Sequence, residues 1–337
     1  MRALAVFALV VLLYPWVAHT SYLITVATFT GIYTIVAVGL GLLMGYAGQV
    51  SLGQAAFYGV GAYTTAVLTT RYGLNPWLGV VAAMAVPALI AYVFGRTLSR
   101  LKGYYLAMAT LAFGIAIYVV INEWADVTGG ASGLYGIPKL SIAGWSISSG
   151  LPYYYFVWAI ALLVIFMGLN IVRFRVGRAL RSIHSSEVAA AAMGVDTGAY
   201  KMQVFILSAV LAGLAGALYA HMSYSLVPEP FGLQTSILFV TMVVLGGMRS
   251  IWGAVVGAMI VSAIRVGVNW LGHTLPGVTS EVELVLFGLI LIGIVIFLPN
   301  GLVPTLAPLL RRIGRRPVKS AVEDGKGEAV CKVTSSA

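Results

Sequence analysis

The sequence predicts an all-α, polytopic membrane protein of about ten transmembrane helices, and three observations predict it. Sixty per cent of the 337 residues are hydrophobic and only 9% are charged, where a soluble globular chain carries roughly 25% charged residues. Apolar stretches of membrane-spanning length recur with short polar connections, which leaves no room for a sizeable soluble domain. The ten acidic residues, Glu123, Asp126, Glu187, Asp196, Glu229, Glu281, Glu283, Glu323, Asp324 and Glu328, fall in loops, at membrane edges or in the C-terminal tail. The chain therefore lacks the intramembrane carboxylate that an ion-coupled pump ordinarily carries. If it moves a solute uphill, the energy enters from elsewhere.

Taken in order, the expected spans are 3–19, 23–45, 52–70, 76–95, 104–122, 152–172, 201–222, 232–247, 252–271 and 282–298. Arg2 followed by the apolar run from Ala3 to Leu13 has the outline of a signal peptide. The apolar character continues through Trp16 and Val17, which favours an uncleaved first span. Spans 52–70 and 232–247 are short or glycine-rich and read as candidates for broken or re-entrant segments. Gly45 to Gln54 and Gly246 to Gly253 are glycine-rich breaks on the same predicted side, a weak echo consistent with two internal repeats. Residues 1–300 form one transmembrane domain. Residues 301–337 form a basic tail, expected to be disordered beyond 317.

Lys and Arg set the orientation. With a cytoplasmic N-terminus, the outside receives Arg71 and Lys139, Arg265 lies within a span, and the remaining 17 of 20 basic residues fall inside. Positive charge concentrates on the cytoplasmic side of membrane proteins, so both termini are expected there. The net charge of +10 follows this pattern rather than forming one patch, which excludes nucleic acid as the partner and leaves the bilayer. One cysteine, Cys331, and four scattered histidines provide neither a disulfide framework nor a metal site.

The inner loop 173–200 is the best site candidate. Ser185 or Ser186 can cap a short helix, Glu187 suits its first turn, Ala189 to Met193 propagate it, and Gly194 ends it. Asp196 or Thr197 can cap the next span. Two readings stand on these residues alone: a helix on which a cytoplasmic subunit docks, or an amphipathic helix lying at the interface.

Glu187, Ala189, Ala190, Met193 and Gly194 resemble the cytoplasmic "EAA" coupling segment of ABC importer permeases. The stretch Gly45-Tyr-Ala-Gly-Gln-Val-Ser-Leu-Gly-Gln resembles the LivM branch of the branched-chain amino acid permeases. So do Gly103-Tyr-Tyr-Leu-Ala-Met-Ala-Thr, Thr128-Gly-Gly-Ala-Ser-Gly and Val243-Val-Leu-Gly-Gly-Met-Arg-Ser. The resemblance runs from about residue 39 to 300. It implies a permease subunit of an ATP-driven importer in a bacterial cytoplasmic (inner) membrane. It further implies a second homologous permease chain, two ATP-binding subunits and an extracytoplasmic substrate-binding protein. The chain has no Gly-x4-Gly-Lys-Ser/Thr loop, in keeping with ATP being bound by other subunits. It is not itself an enzyme, and no cofactor is expected.

Four further residues are candidates for the translocation path. Arg265 sits mid-way along a span, where burial costs about 2.5–3.5 kcal/mol on insertion scales. It faces the path, or else backbone carbonyls, a headgroup or a partner chain. Gln49, Ser51 and Gln54 line a polar gap, or else hydrogen-bond neighbouring helices at about 0.6 kcal/mol each. Gly253 and Gly257 have the spacing of close helix packing. Urea, short amides or other amino acids are the alternative substrates, and a stand-alone secondary transporter or channel is the alternative class.

Overall fold

The computed structural model describes residues 2–17, 20–98, 103–142, 145–146 and 150–274, with isolated positions at 288–289, 292–293, 296 and 301–302. Most of the expected span 282–298 and the tail from 303 lie outside the described residues. The longer helices are α1 (Arg2–Val17), α2 (Ser21–Gly41), α3 (Gln54–Thr70), α4 (Pro76–Leu98), α5 (Tyr104–Glu123), α7 (Leu151–Arg173), α10 (Thr197–Ser223), α11 (Leu233–Gly246) and α12 (Ile251–Thr274). Short helices α6 (Ala125–Thr128), α8 (Arg175–Ser185) and α9 (Glu187–Ala192) lie in the connections. Six of the long segments are long and apolar enough to cross a membrane: Ser21–Tyr46, Pro76–Thr97, Tyr104–Glu123, Leu151–Arg173, Thr197–Ser223 and Ile251–Val268. α11, with 14 residues, extends about 21 Å at 1.5 Å per residue, short of a hydrocarbon core of about 30 Å.

Among the described residues, the regular structure is helical apart from two-residue strands. β1 (Leu134–Tyr135) pairs antiparallel with β4 (Ser225–Leu226), and β2 (Ser141–Ile142) with β3 (Trp145–Ser146). The first pairing joins the 123–151 connection to the α10–α11 connection. His221 strengthens that junction. Its Nδ1 lies 2.8 Å from the Pro138 carbonyl and its Nε2 3.0 Å from Thr65 Oγ1. A carbonyl only accepts, so Nδ1 carries the proton, and Nε2 accepts from Thr65. Arg71 donates to the Asp126 carbonyl, and Lys139 stands over the Tyr224 ring at 5.1 Å. This loop end of the bundle contrasts with a basic end, where Arg173, Arg175, Arg178, Arg181 and Arg249 lie.

α2 and α10 form the centre. About two thirds of α2's and 72% of α10's apolar window is buried, against 28% for α4 and 22% for α5. Threonines enter α2 without an unsatisfied hydroxyl, because Thr28, Thr30 and Thr34 each donate to a carbonyl four residues earlier at 2.7–2.9 Å. α7 is stitched to its neighbours by polar tips on apolar rings. Tyr153 Oη donates to the Leu218 carbonyl, Tyr154 Oη to Val11 and Trp158 Nε1 to Ala27, at 2.5, 2.8 and 3.0 Å.

The backbone departs from α-helix where the glycines of the sequence suggested a break. α2 closes in a π-helical turn, Leu42–Tyr46, and residues 47–53 are irregular before α3 begins. Irregular backbone at membrane depth persists only if its polar groups find partners. Here neighbouring helices supply them: Thr110 Oγ1 accepts from Leu52 N at 3.0 Å, and Ser236 Oγ from Ala55 N at 3.0 Å.

Candidate functional site

At the basic end, α7 stops at Phe174, whose extended backbone turns the chain into α8. Gly177 allows this turn, because a Cβ there would collide with the backbone of Val172. Arg181 caps the end of α7 by donating from Nη2 to the Val172 carbonyl at 3.0 Å, a favourable place for a cation. α8 buries Gly177, Leu180 and Ile183 and exposes Arg175 and Arg178.

α9 follows after one residue. Ser186 is its N-cap, with Oγ accepting from Ala189 N at 3.3 Å. Ala190 is buried, while Val188 and Met193 are 79% and 84% exposed. Gly194 takes φ +81°, the left-handed region that glycine tolerates, and its neighbour Val195 N donates to the Ala190 carbonyl. Asp196 caps α10 through Oδ1 and Ala199 N at 3.0 Å. Glu187 is turned toward its own chain: Oε2 lies 2.8 Å from Lys201 Nζ on α10. The pair is partly exposed and stabilises the fold by at most about 1 kcal/mol, but it fixes α9 against α10. Met193 was named by motif, whereas Val188 was not. Its signal in the sequence is its apolar character in a short polar loop.

α8 sits against both glycine-rich breaks. Gly48 takes φ +69°, the left-handed region that favours glycine, and His184 Nδ1 would lie 2.8 Å from a Cβ there. A Cβ on Gly45 would strike the Met248 carbonyl, and Tyr46 Oη donates to the Arg249 carbonyl at 2.9 Å. Gly45, Tyr46, Arg181, His184, Ser185 and Arg249 enclose a small cavity of about 190 Å³. The turn between α11 and α12 is as tight. A Cβ on Gly257 would collide with the Met242 carbonyl, and one on Gly253 would come within 2.7 Å of the Gly246 carbonyl.

The four path candidates do not converge. Gln54 is buried and donates from Nε2 to both the carbonyl and Oγ of Ser208, each at 2.9 Å. Ser208→Ala keeps the carbonyl acceptor, so a loss of about 0.6 kcal/mol is expected, read as a small drop in thermal midpoint in detergent. Gln49 Oε1 and Ser51 Oγ are buried in the break at the basic end and find no partner among the described residues. Arg265 lies elsewhere, on the wall of a cavity of about 500 Å³ toward the loop end. None of the other three lines that cavity. Its walls come from the start of α2, the α10–α11 connection, α11 and α12. Tyr58, Tyr219, Ser262 and Glu229, which the sequence reading did not single out, line it as well.

The family model for the branched-chain amino acid transport system permease component matches residues 22–295. The chain belongs to this family. The high-affinity branched-chain amino acid transport system permease protein LivM of Escherichia coli (strain K12) is 31% identical over 328 residues. That match covers 90% of this chain and 75% of the relative. A probable LivM of Methanocaldococcus jannaschii is 23% identical, covering 81% of this permease and 91% of the relative. The similarity extends at 23% identity to LivH of Salmonella typhimurium, over 69% of this permease and 80% of that protein. No solved structure was found to match. The permease is thus a multi-pass membrane protein of LivM type, a transport subunit rather than an enzyme.

Proposed function

We propose that this permease is the transmembrane subunit of an ATP-driven importer of branched-chain amino acids. It pairs with a LivH-like chain, takes substrate from an extracytoplasmic binding protein, and is driven by two ATP-binding subunits at its basic end. The family match over residues 22–295 carries this reading. The occurrence of LivM and LivH relatives in the same Escherichia coli strain, both named for the high-affinity system, supports the second chain. The bundle has about ten membrane segments in two repeats, the short α11 among them as a broken or re-entrant one, in a bacterial cytoplasmic (inner) membrane, with both termini cytoplasmic. The close approach of Gly45 to Met248, which brings the two glycine breaks together, is in keeping with the paired repeats alone.

The segment Glu187 to Gly194 is the coupling helix. Glu187 and Ala190 hold it to the bundle, while Val188 and Met193 enter a groove on the ATP-binding subunit. Displacement of α9 is passed to α10 through Lys201 and, by way of His184, to the breaks at Gly48 and Met248. These breaks are where α2 and α12 can move without losing regular hydrogen bonds. The result is alternating access driven in trans. In proteoliposomes holding the complete complex and its binding protein, leucine uptake is expected to require ATP on the α9 side and to persist in a protonophore. Uptake that ignores ATP and collapses with the protonophore would establish ion coupling instead.

A further inference from the structure

The cavity of about 500 Å³ has a size ordinary for a small-molecule site, and its chemistry is asymmetric. Phe29, Tyr33, Tyr58 and Tyr219 give it an aromatic wall. These rings are held by one another, with Phe29 5.9 Å from Tyr219 and Tyr58 5.6 Å from Tyr219, and by the buried Phe231 and Phe239 behind them. Two charges of opposite sign line the same space. Arg265 stands fourteen residues into α12, about 21 Å from its start at the basic end. Glu229 belongs to the α10–α11 connection at the loop end. Neither makes an ion pair or a side-chain hydrogen bond among the described residues. Two further groups lining it lack partners among the described residues: the Tyr58 hydroxyl and Ser262 Oγ, on residues only 1% and 7% exposed. Buried polar groups are normally satisfied, and an orphan on a cavity wall points to a ligand or water that completes it.

We propose that this cavity is a way-station for a zwitterionic amino acid within the membrane domain. Arg265 receives the carboxylate, for which its planar fork is suited. Glu229 receives the ammonium, the aromatic wall takes an apolar side chain, and the Tyr58 and Ser262 hydroxyls complete the remaining polar contacts. Opposite charges lining one cavity select a ligand carrying both, and reject a neutral amide or a simple carboxylate, which leaves one charge uncompensated. This assignment rests on the importer reading for the direction of travel, and it adds residues and a recognition rule to it.

The test is ATP-driven leucine uptake at saturating binding protein, by the complete reconstituted complex carrying Arg265→Gln, Arg265→Lys, Glu229→Gln or Glu229→Asp. Each is scored where the complex is recovered with all its subunits. The neutral variants are expected to lower maximal uptake at least fivefold, with Arg265→Lys and Glu229→Asp regaining part of the loss. If Arg265→Gln fails to assemble, Glu229→Gln carries the test alone, because Glu229 lies in a connection and Arg265 within a membrane-spanning helix. A loss under fivefold in an assembled neutral variant, or no recovery in its charge-preserving counterpart, overturns the proposal while leaving the importer reading intact. Absence of leucine uptake by the unsubstituted complex defeats the importer reading first.

Discussion

Replacing both Gly213 and Gly216 with alanine is expected to abolish recovery of folded protein, and Gly216→Ala alone to destabilise it severely. α10 meets α3 and α4 at a contact made of backbone. A Cβ on Gly216 would collide with the Tyr58 carbonyl and come within 2.8 Å of Ala62 N. One on Gly213 would collide with the Ala83 carbonyl and reach 2.7 Å from Pro87 Cγ. One on Gly61 would strike Gly213 itself. Small residues are what allow membrane helices to approach this closely. A flexible side chain could yield, but these neighbours are backbone and a proline ring, so the helices must separate. Separation also breaks the Gln54–Ser208 and Thr65–His221 hydrogen bonds along the same seam. Overpacking costs about 1–3 kcal/mol at an ordinary core site, and total stability is about 5–15 kcal/mol. The double variant therefore removes much of it. Monodisperse recovery in detergent and the thermal midpoint are the readouts. Gly267→Ala is the control, since nothing lies within 4 Å of a Cβ there. Unchanged recovery of the double variant would contradict the packing described.

The second large effect is on transport with the fold intact. The double substitution Val188→Asp with Met193→Asp is expected to cut ATP-driven uptake by two orders of magnitude while leaving the thermal midpoint of the isolated chain unchanged. Both side chains are largely exposed, so removing them costs the chain little. If they enter a partner's groove, they are the apolar anchors of that contact. Loss of such an anchor typically costs about 2–4 kcal/mol, roughly 30- to 700-fold in affinity. Uptake at the unsubstituted rate would sink the coupling role of α9. A large fall in the midpoint would show that the two residues serve this chain's own fold.

The helices were largely legible, because hydropathy over twenty residues is the strongest signal a sequence carries. The observed α2, α4, α5, α7 and α12 begin and end within a few residues of the expected spans. The caps of the 173–200 loop were legible too: Ser186 and Asp196 do what their short oxygen-bearing side chains suit them to do. The π-helical turn at Leu42–Tyr46 was not, since no residue there is peculiar to that geometry. The cavity was hidden for a different reason. α2 and α10 show no one-sided apolar periodicity, so it does not separate lipid-facing positions from cavity walls. Tyr58 and Tyr219 read as ordinary membrane aromatics, although the Tyr58 hydroxyl is buried and has no partner among the described residues. Glu229 read as a loop charge, and only the folding of the α10–α11 connection brings it to the cavity that Arg265 lines. Arg265 was visible as an anomaly. Its separation from Gln49, Ser51 and Gln54 depends on which helices pack together, which a single sequence does not encode locally.

The most direct test of the central claim is purification of the chain from its native membrane in mild detergent, with co-purifying chains identified by mass. The expected result is a second, LivH-like polytopic chain together with two ATP-binding subunits, and loss of the ATP-binding subunits alone from the Val188→Asp, Met193→Asp variant. Recovery of the chain alone or as a homo-oligomer across several detergents would contradict the account.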